Sequence, residues 1–164
     1  MAVRSAVGNA RGVVGVVKRA VLAAVLVLAT SCASAPAAPP VEPVVERFVA
    51  ALNELDLAAL DTLLDDDASA YLPSAELRAR IDGRAAIVAA LRPMFEDGRR
   101  RGSGPPYSHM KVQTLRVQRA GDVAIATFDV GTAEVSSRRT LVLVRRGRDW
   151  KVLHFHASNV RPPA

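Results

Sequence analysis

The stretch WKVLHFHAS, Trp150 to Ser158, decides how this chain is read. It holds the only tryptophan and two of the three histidines. Alternation along a strand would place Trp150, Val152, His154, His156 and Ser158 on one face. Lys151, Leu153, Phe155, Ala157 and Asn159 would take the other. Two histidines on one face can hold one metal, but a metal site needs a third ligand and usually a fourth. His109 and Asp129 are the tempting additions, and nothing in the spacing brings them to the pair. The alternative is that His154 and His156 hydrogen-bond across a sheet or at a dimer seam. That alternative is preferred here, with no metal and no cofactor expected.

Working back from this stretch, the apolar pattern keeps a period of two. RGRD (Arg146 to Asp149) is a turn, Ser137 to Arg145 a strand, and Val123 to Val130 another. Ala120-Gly121-Asp122 is a turn, and Tyr107 to Gln118 a fourth strand. Before the loop GSGPP (Gly102 to Pro106) the period becomes helical. Pro43 suits the first turn of a helix whose Val44, Val45, Phe48, Val49, Leu52 and Leu55 recur on one face. Asp56 caps a second helix with Leu57, Leu60, Leu63 and Leu64 on its apolar side. Asp65-Asp66-Asp67 is expected to end it as a solvated turn, since no calcium-loop spacing follows. A strand over Ala68 to Leu72 and a short partner over Leu77 to Ile81 come next. Asp82-Gly83 opens a third helix built on Ile87, Val88, Leu91, Met94 and Phe95, with a kink expected at Pro93 and an end at Gly98. Helices first and an antiparallel meander second make an α+β domain. Leu141-Val142-Leu143-Val144 is apolar on both faces, so both faces of the sheet should be covered. Helices can cover one, and a second copy of the chain is the expected cover for the other, a homodimer through the sheet.

This element order, with tryptophan opening the last strand, resembles the SnoaL-like domains of the nuclear transport factor 2-like superfamily. Asp66-Asp67-Ala68, IDGRAAI (Ile81 to Ile87) and RRGRDWKVLHFHAS (Arg145 to Ser158) carry the resemblance, over about residues 43–160. The H-x-H-x-S ending is similar to that of the calcium/calmodulin-dependent kinase II association domain. The resemblance implies a cone: a bent sheet wrapped around a helix, with a pocket at the open end. It implies pocket positions for Phe155, Ala157, Leu141, Tyr71 and Asp129. The kinase relative keeps arginines where Ala157 and Leu141 stand here. These two departures remove cationic anchors, so the expected ligand is small and mostly apolar.

Members of the superfamily include isomerases, hydrolases and non-catalytic binding or assembly domains. Asp129 is the carboxylate of an otherwise apolar strand, a setting that favours a raised pKa; the plainer reading is a strand-end aspartate in solvent beside Gly131. With His109 and Tyr71 it forms the available catalytic set. Ketosteroid-isomerase-like chemistry needs a carboxylate base and an oxyanion donor pair, and the first helix carries no tyrosine for it. An Asp-Arg-Asp relay could use Asp129 with Arg138 or Arg139, although its pattern is not recognisable. The expected function is therefore non-catalytic: ligand binding or assembly. The alternative is a pocket enzyme, an isomerase or hydrolase using Asp129 with a histidine or tyrosine.

Charge points toward the N-terminus. The formal net charge is +6, yet Arg4, Arg11, Lys18 and Arg19 lie in residues 1–31, which contain no acid. Removing those four from the 22 basic residues leaves 18 against 16 acidic ones. The remainder is nearly balanced, and Arg99-Arg100-Arg101 reads as a helix end whose charge suits the dipole, not a nucleic-acid surface. Lys18-Arg19, the apolar run AVLAAVLVLAT (Ala20 to Thr30) and Ser31-Cys32 have the order of a signal peptide. LATSC resembles a bacterial lipobox, with Leu28 one position earlier than usual. Residues 1–31 are expected to be a lipoprotein signal peptide and Cys32 to carry the lipid that holds the domain at a membrane. Residues 32–42, Pro/Ala-rich, form a tether; 43–160 form the domain and 161–164 a tail. Ala33 after the cysteine points to the outer membrane, facing the periplasm. Residues 1–15 fit neither domain nor signal, which predicts a translation start near Val16 or Val17.

Overall fold

Pro43 stands in the first turn of α1 (Glu42–Asn53), where its missing N–H costs nothing. The spacing of Val44, Val45, Phe48 and Val49 makes one buried stripe. The Asp56 carboxylate accepts a hydrogen bond from the Ala59 N–H at 2.9 Å and so caps α2 (Leu57–Leu63). The structure, a computed structural model, describes residues 38–73, 79–131 and 136–160. The expected signal peptide with Cys32, Leu77 of the expected short strand, and the tail lie outside those residues. No described helix is long and apolar enough to cross a membrane.

The aspartate triplet does not end α2 as a solvated turn. Strand β1 (Leu64–Tyr71) begins at once and contains it. Asp65 is buried and accepts two hydrogen bonds from Arg146, at 2.7 Å from Nε and 3.0 Å from Nη2. Asp66 and Asp67 alone face solvent. Gly83 then caps α3 (Arg84–Arg101) with φ +91°, a conformation side chains disfavour. The helix does not stop at Gly98. It runs one turn further, and Gly98 allows the Leu55 side chain to lie where a Cβ would stand, 2.8 Å away. At its end Arg100 and Arg101 pair with Asp97, and Arg99 Nη2 donates to the Leu55 carbonyl at 2.6 Å. The arginine run is thus engaged in closing its own helix.

Between them β1 and α3 leave room for a two-residue strand, β2 (Ile81–Asp82). The meander follows as β3 (Lys111–Ala120), β4 (Val123–Gly131), β5 (Ser136–Arg146) and β6 (Asp149–Val160). The turns at Gly121 and Gly147 have φ of +59° and +64°. Strand order is β2-β1-β6-β5-β4-β3, antiparallel except for β1 with β6. The strand expected from Tyr107 starts only at Lys111. One face of the sheet carries Ala124, Ala126, Phe128, Leu141, Leu143 and Phe155. These join Val45, Phe48, Leu60, Ile87 and Leu91 of the helices in one core.

Packing begins before Pro43. Val41 is fully buried, and the Trp150 indole N–H donates to the Pro39 carbonyl at 2.8 Å. The tryptophan therefore ties the start of the domain to its last strand.

The strict alternation expected for β6 breaks at one residue. Leu143 is opposite Val152 and Val142 is opposite His154, so Leu153 is an extra residue, a β-bulge. A single insertion reverses the phase of everything beyond it. Trp150, Val152, Phe155 and Ala157 are consequently all buried on the inner face. His154 and His156 are on the outer face and do not share a side with Trp150 and Val152.

Candidate functional site: an apolar cavity with one arginine

Phase reversal by the bulge gives Phe155 and Ala157 to a cavity of about 330 Å³. Phe48 and Leu52 of α1 form one wall, with Leu55 beyond the helix end. Leu91, Met94 and Phe95 of α3 form another, and Leu72 with Pro73 closes a side. The ring of Phe48 meets that of Phe155 edge-on, centroids 5.4 Å apart. Ser108, Met110 and Arg139 complete the lining. Leu141, expected in the pocket, is instead fully buried below it in the core.

Asn53, at the C-terminal end of α1, holds the Ser108–Met110 wall. Its side-chain N–H donates to the Met110 carbonyl at 2.9 Å. Its side-chain oxygen accepts from the Ser108 hydroxyl at 2.7 Å and from the Met110 N–H at 3.0 Å. Its backbone carbonyl accepts from the Tyr107 N–H at 2.8 Å. Residues 107–110 thus spend their hydrogen-bonding groups on a helix end and cannot pair as a strand, which is why β3 starts late. Asn53→Leu is expected to cost about 2–3 kcal/mol, roughly one per lost bond. Urea unfolding checks this, with Ser108→Ala as the milder control.

Among the described residues that line the cavity, Arg139 is the one charged side chain. It lies opposite Ala157 on β6 and Phe128 on β4. Its Nη1 donates to the carbonyls of Arg138, at 3.1 Å, and Ser158, at 3.5 Å. Burial holds its guanidinium below the usual arginine range, because the charged form loses solvation there.

The expected catalytic set does not assemble. Tyr71 is 42% exposed on the outer face, its ring about 6 Å from those of His154 and His156. Asp129 is also on the outer face. It accepts from the Thr114 hydroxyl and lies opposite Arg138, in a separate shallow depression that shares only Arg139 with the cavity lining. Its apolar sequence neighbours Phe128 and Val130 point to the opposite side, so the apolar strand does not enclose it. His109 is exposed, between the two cavity residues Ser108 and Met110. Tyr71, Asp129 and His109 therefore do not line this cavity. His154 receives a neighbour across the sheet, as Nδ1 is 2.9 Å from the Ser69 hydroxyl. Burial, with His156 and Arg80 nearby, holds its imidazole below the usual histidine range. Among the described residues no group of three or more metal-ligating side chains is found.

The sequence matches the SnoaL-like domain family over residues 41–162. This chain belongs to that family. No curated protein sequence matches it. Solved structures similar to this SnoaL-like domain share the nuclear transport factor 2-like cone. A candidate calcium/calmodulin-dependent protein kinase type II association domain from Thiobacillus denitrificans has a TM-score of 0.62 at 24% identity, over 77% of this chain and 100% of that one. A candidate ketosteroid isomerase from Parabacteroides distasonis has 0.59 at 24%, over 74% and 88%. The kinase II hub of S. rosetta has 0.58 at 23%, over 77% and 100%. At such identities the likeness establishes the fold.

Within this SnoaL-like domain the loss of cationic anchors expected from Ala157 and Leu141 is only half the outcome. An arginine does line the cavity, but it is Arg139 of the neighbouring strand. Ala157, the residue opposite, is small enough to leave it space. The sequence offered Arg138 or Arg139 alike for a relay whose pattern is not recognisable; the register against Ala157 reveals the inward position of Arg139.

Proposed function

We propose that this SnoaL-like domain is a non-catalytic binder of a small, mostly apolar molecule, exported and held at a membrane by lipid on Cys32. The observation that carries the binding reading is the cavity: about 330 Å³, walled by aliphatic and aromatic side chains, with no carboxylate or imidazole among the described residues that line it. That size is at the lower end of small-molecule sites, which are mostly apolar with few polar groups. The lipid anchor is supported by the apolar run before Cys32 and the Pro/Ala tether after it. Ala33 supports the outer membrane, facing the periplasm.

Displacement of an uncharged apolar fluorophore tests the binding reading. Met94→Glu, at the half-exposed rim, is expected to weaken fluorophore binding at least tenfold by placing charge in the apolar wall. Asp129→Asn is expected to leave it unchanged. Equal loss in both variants, or no binding by the parent protein, overturns the reading. An intact mass for the membrane-extracted protein that begins at Cys32 and includes acyl chains is the corresponding result for the anchor; an unmodified Cys32 overturns it.

The outer face supports a homodimer through the sheet. Val123 and Ile125 are each 39% exposed there, beside Val142 and Val144, which are only partly covered. A monomer mass by light scattering at tens of micromolar would count against this assembly.

A further inference from the structure

Arg139 stands where the inner face passes from polar to apolar: Ser137, bonded to Asn159 on β6, precedes it on β5, Leu141 and Leu143 follow it, and Phe128 and Ala157 flank it on the adjoining strands. Arginine in such a place is costly unless its donors are used. Two backbone carbonyls occupy Nη1. Nε and Nη2 have no protein partner among the described residues, and none of those residues offers Arg139 a carboxylate within ion-pair distance. These N–H groups are not sealed in. Every fully buried polar side-chain atom among the described residues is partnered, so the unpartnered ones open onto accessible space. The carbonyls of Arg138 and Ser158 fix one arm of the guanidinium and leave the rest of its fork for a guest.

A planar fork of parallel N–H donors matches a carboxylate, which it binds with two hydrogen bonds. In a cavity with little other polar surface that pair is poorly screened, and the guest's remaining body meets Leu52, Met94 and Phe155. We propose that the cavity takes an amphipathic monocarboxylate, with its carboxylate on Arg139 and its hydrocarbon body along the apolar walls. This rests on the reading of the cavity as a ligand site and adds the chemical class of the ligand.

Octanoate and octanol are the probes, one carrying the carboxylate and the other a neutral hydroxyl on the same chain length. Each is titrated by displacement of an uncharged apolar fluorophore at neutral pH. Octanoate is expected to bind the parent protein at least tenfold more tightly than octanol, a difference of about 1.4 kcal/mol. Arg139→Gln is expected to remove that preference while octanol and the fluorophore bind as before. Retained fluorophore binding shows that the variant is folded. Arg139→Lys, which keeps the charge but not the fork, is expected to fall between. Octanol binding as tightly as octanoate overturns the anchor and leaves the apolar site standing. A preference that survives Arg139→Gln also overturns it. No binding of fluorophore, octanoate or octanol overturns the cavity reading itself, and this proposal with it.

Discussion

Phe48→Ala is expected to lower the unfolding free energy by about 3–5 kcal/mol. Phe48 is 1% exposed and its ring packs edge-on against Phe155. Truncation removes the burial of an aromatic side chain and the pair interaction, itself about 0.5–1.5 kcal/mol. The size of the loss depends on how far neighbours collapse into the space. Here the space adjoins an existing cavity whose walls come from two helices and the sheet, so the void merges with it and stays open. That places the cost toward the upper end of the range. Phe48→Leu fills most of the volume and is expected to cost less than half as much. Urea denaturation with an unchanged m-value is the measurement, and equal effects of the two variants would show that the cavity wall can close. The same change enlarges the cavity. Among folded molecules, Phe48→Ala is expected to shift preference toward bulkier apolar probes.

Much of this architecture is written locally. The stripe of Val44, Val45, Phe48 and Val49, the Asp56 cap, the glycine opening α3 and the alternation of β4 all act within a few residues, and all appear as expected. What the chain conceals are pairings set at long range. Asn53 meets Met110 across 57 residues, and Asp65 meets Arg146 across 81. Neither polar residue differs in its local sequence from a solvated one. The bulge at Leu153 carries no glycine or proline to mark it, yet it decides which residues enter the cavity. Asp129 shows why the plainer of its two readings, an aspartate in solvent, is the better one. Its apolar neighbours in sequence suggested an enclosed carboxylate, but in a strand adjacent residues face opposite sides. Enclosure has to be judged from i±2 and cross-strand neighbours, which for Asp129 are Thr127, Gln113 and Arg138. The same rule locates Arg139 inside: its i+2 neighbour is Leu141, and its cross-strand neighbours are Phe128 and Ala157.

Asp65→Asn is expected to destabilise the domain by about 2–3 kcal/mol at neutral pH, the scale of charge-assisted hydrogen bonds lost from a buried acceptor. Asp65 is only 5% exposed. Its hydrogen bonds from Arg146 hold its carboxyl below the usual aspartate range despite the opposing effect of burial. A carboxyl whose folded pKa is depressed adds stability above its unfolded pKa, near 3.9. The contribution is lost as pH falls through the lower, folded value. The gap between parent and Asp65→Asn should therefore be full at pH 6–7 and shrink below about pH 4. A gap of constant size down to pH 2–3 would show that the loss is one of shape, not charge. Arg146→Ala is the sharper variant, because it leaves a buried carboxylate without its hydrogen-bonded cation, whereas Asp65→Asn leaves an arginine that solvent can reach. In the Arg146→Ala background Asp65→Asn should restore stability, a reversal of its sign in the parent protein. The pair fastens β1, the strand that joins the helical layer to the sheet, to the β5–β6 turn. Loss of that fastening should appear first as faster hydrogen exchange in β1, with the β4–β5 ladder still protected.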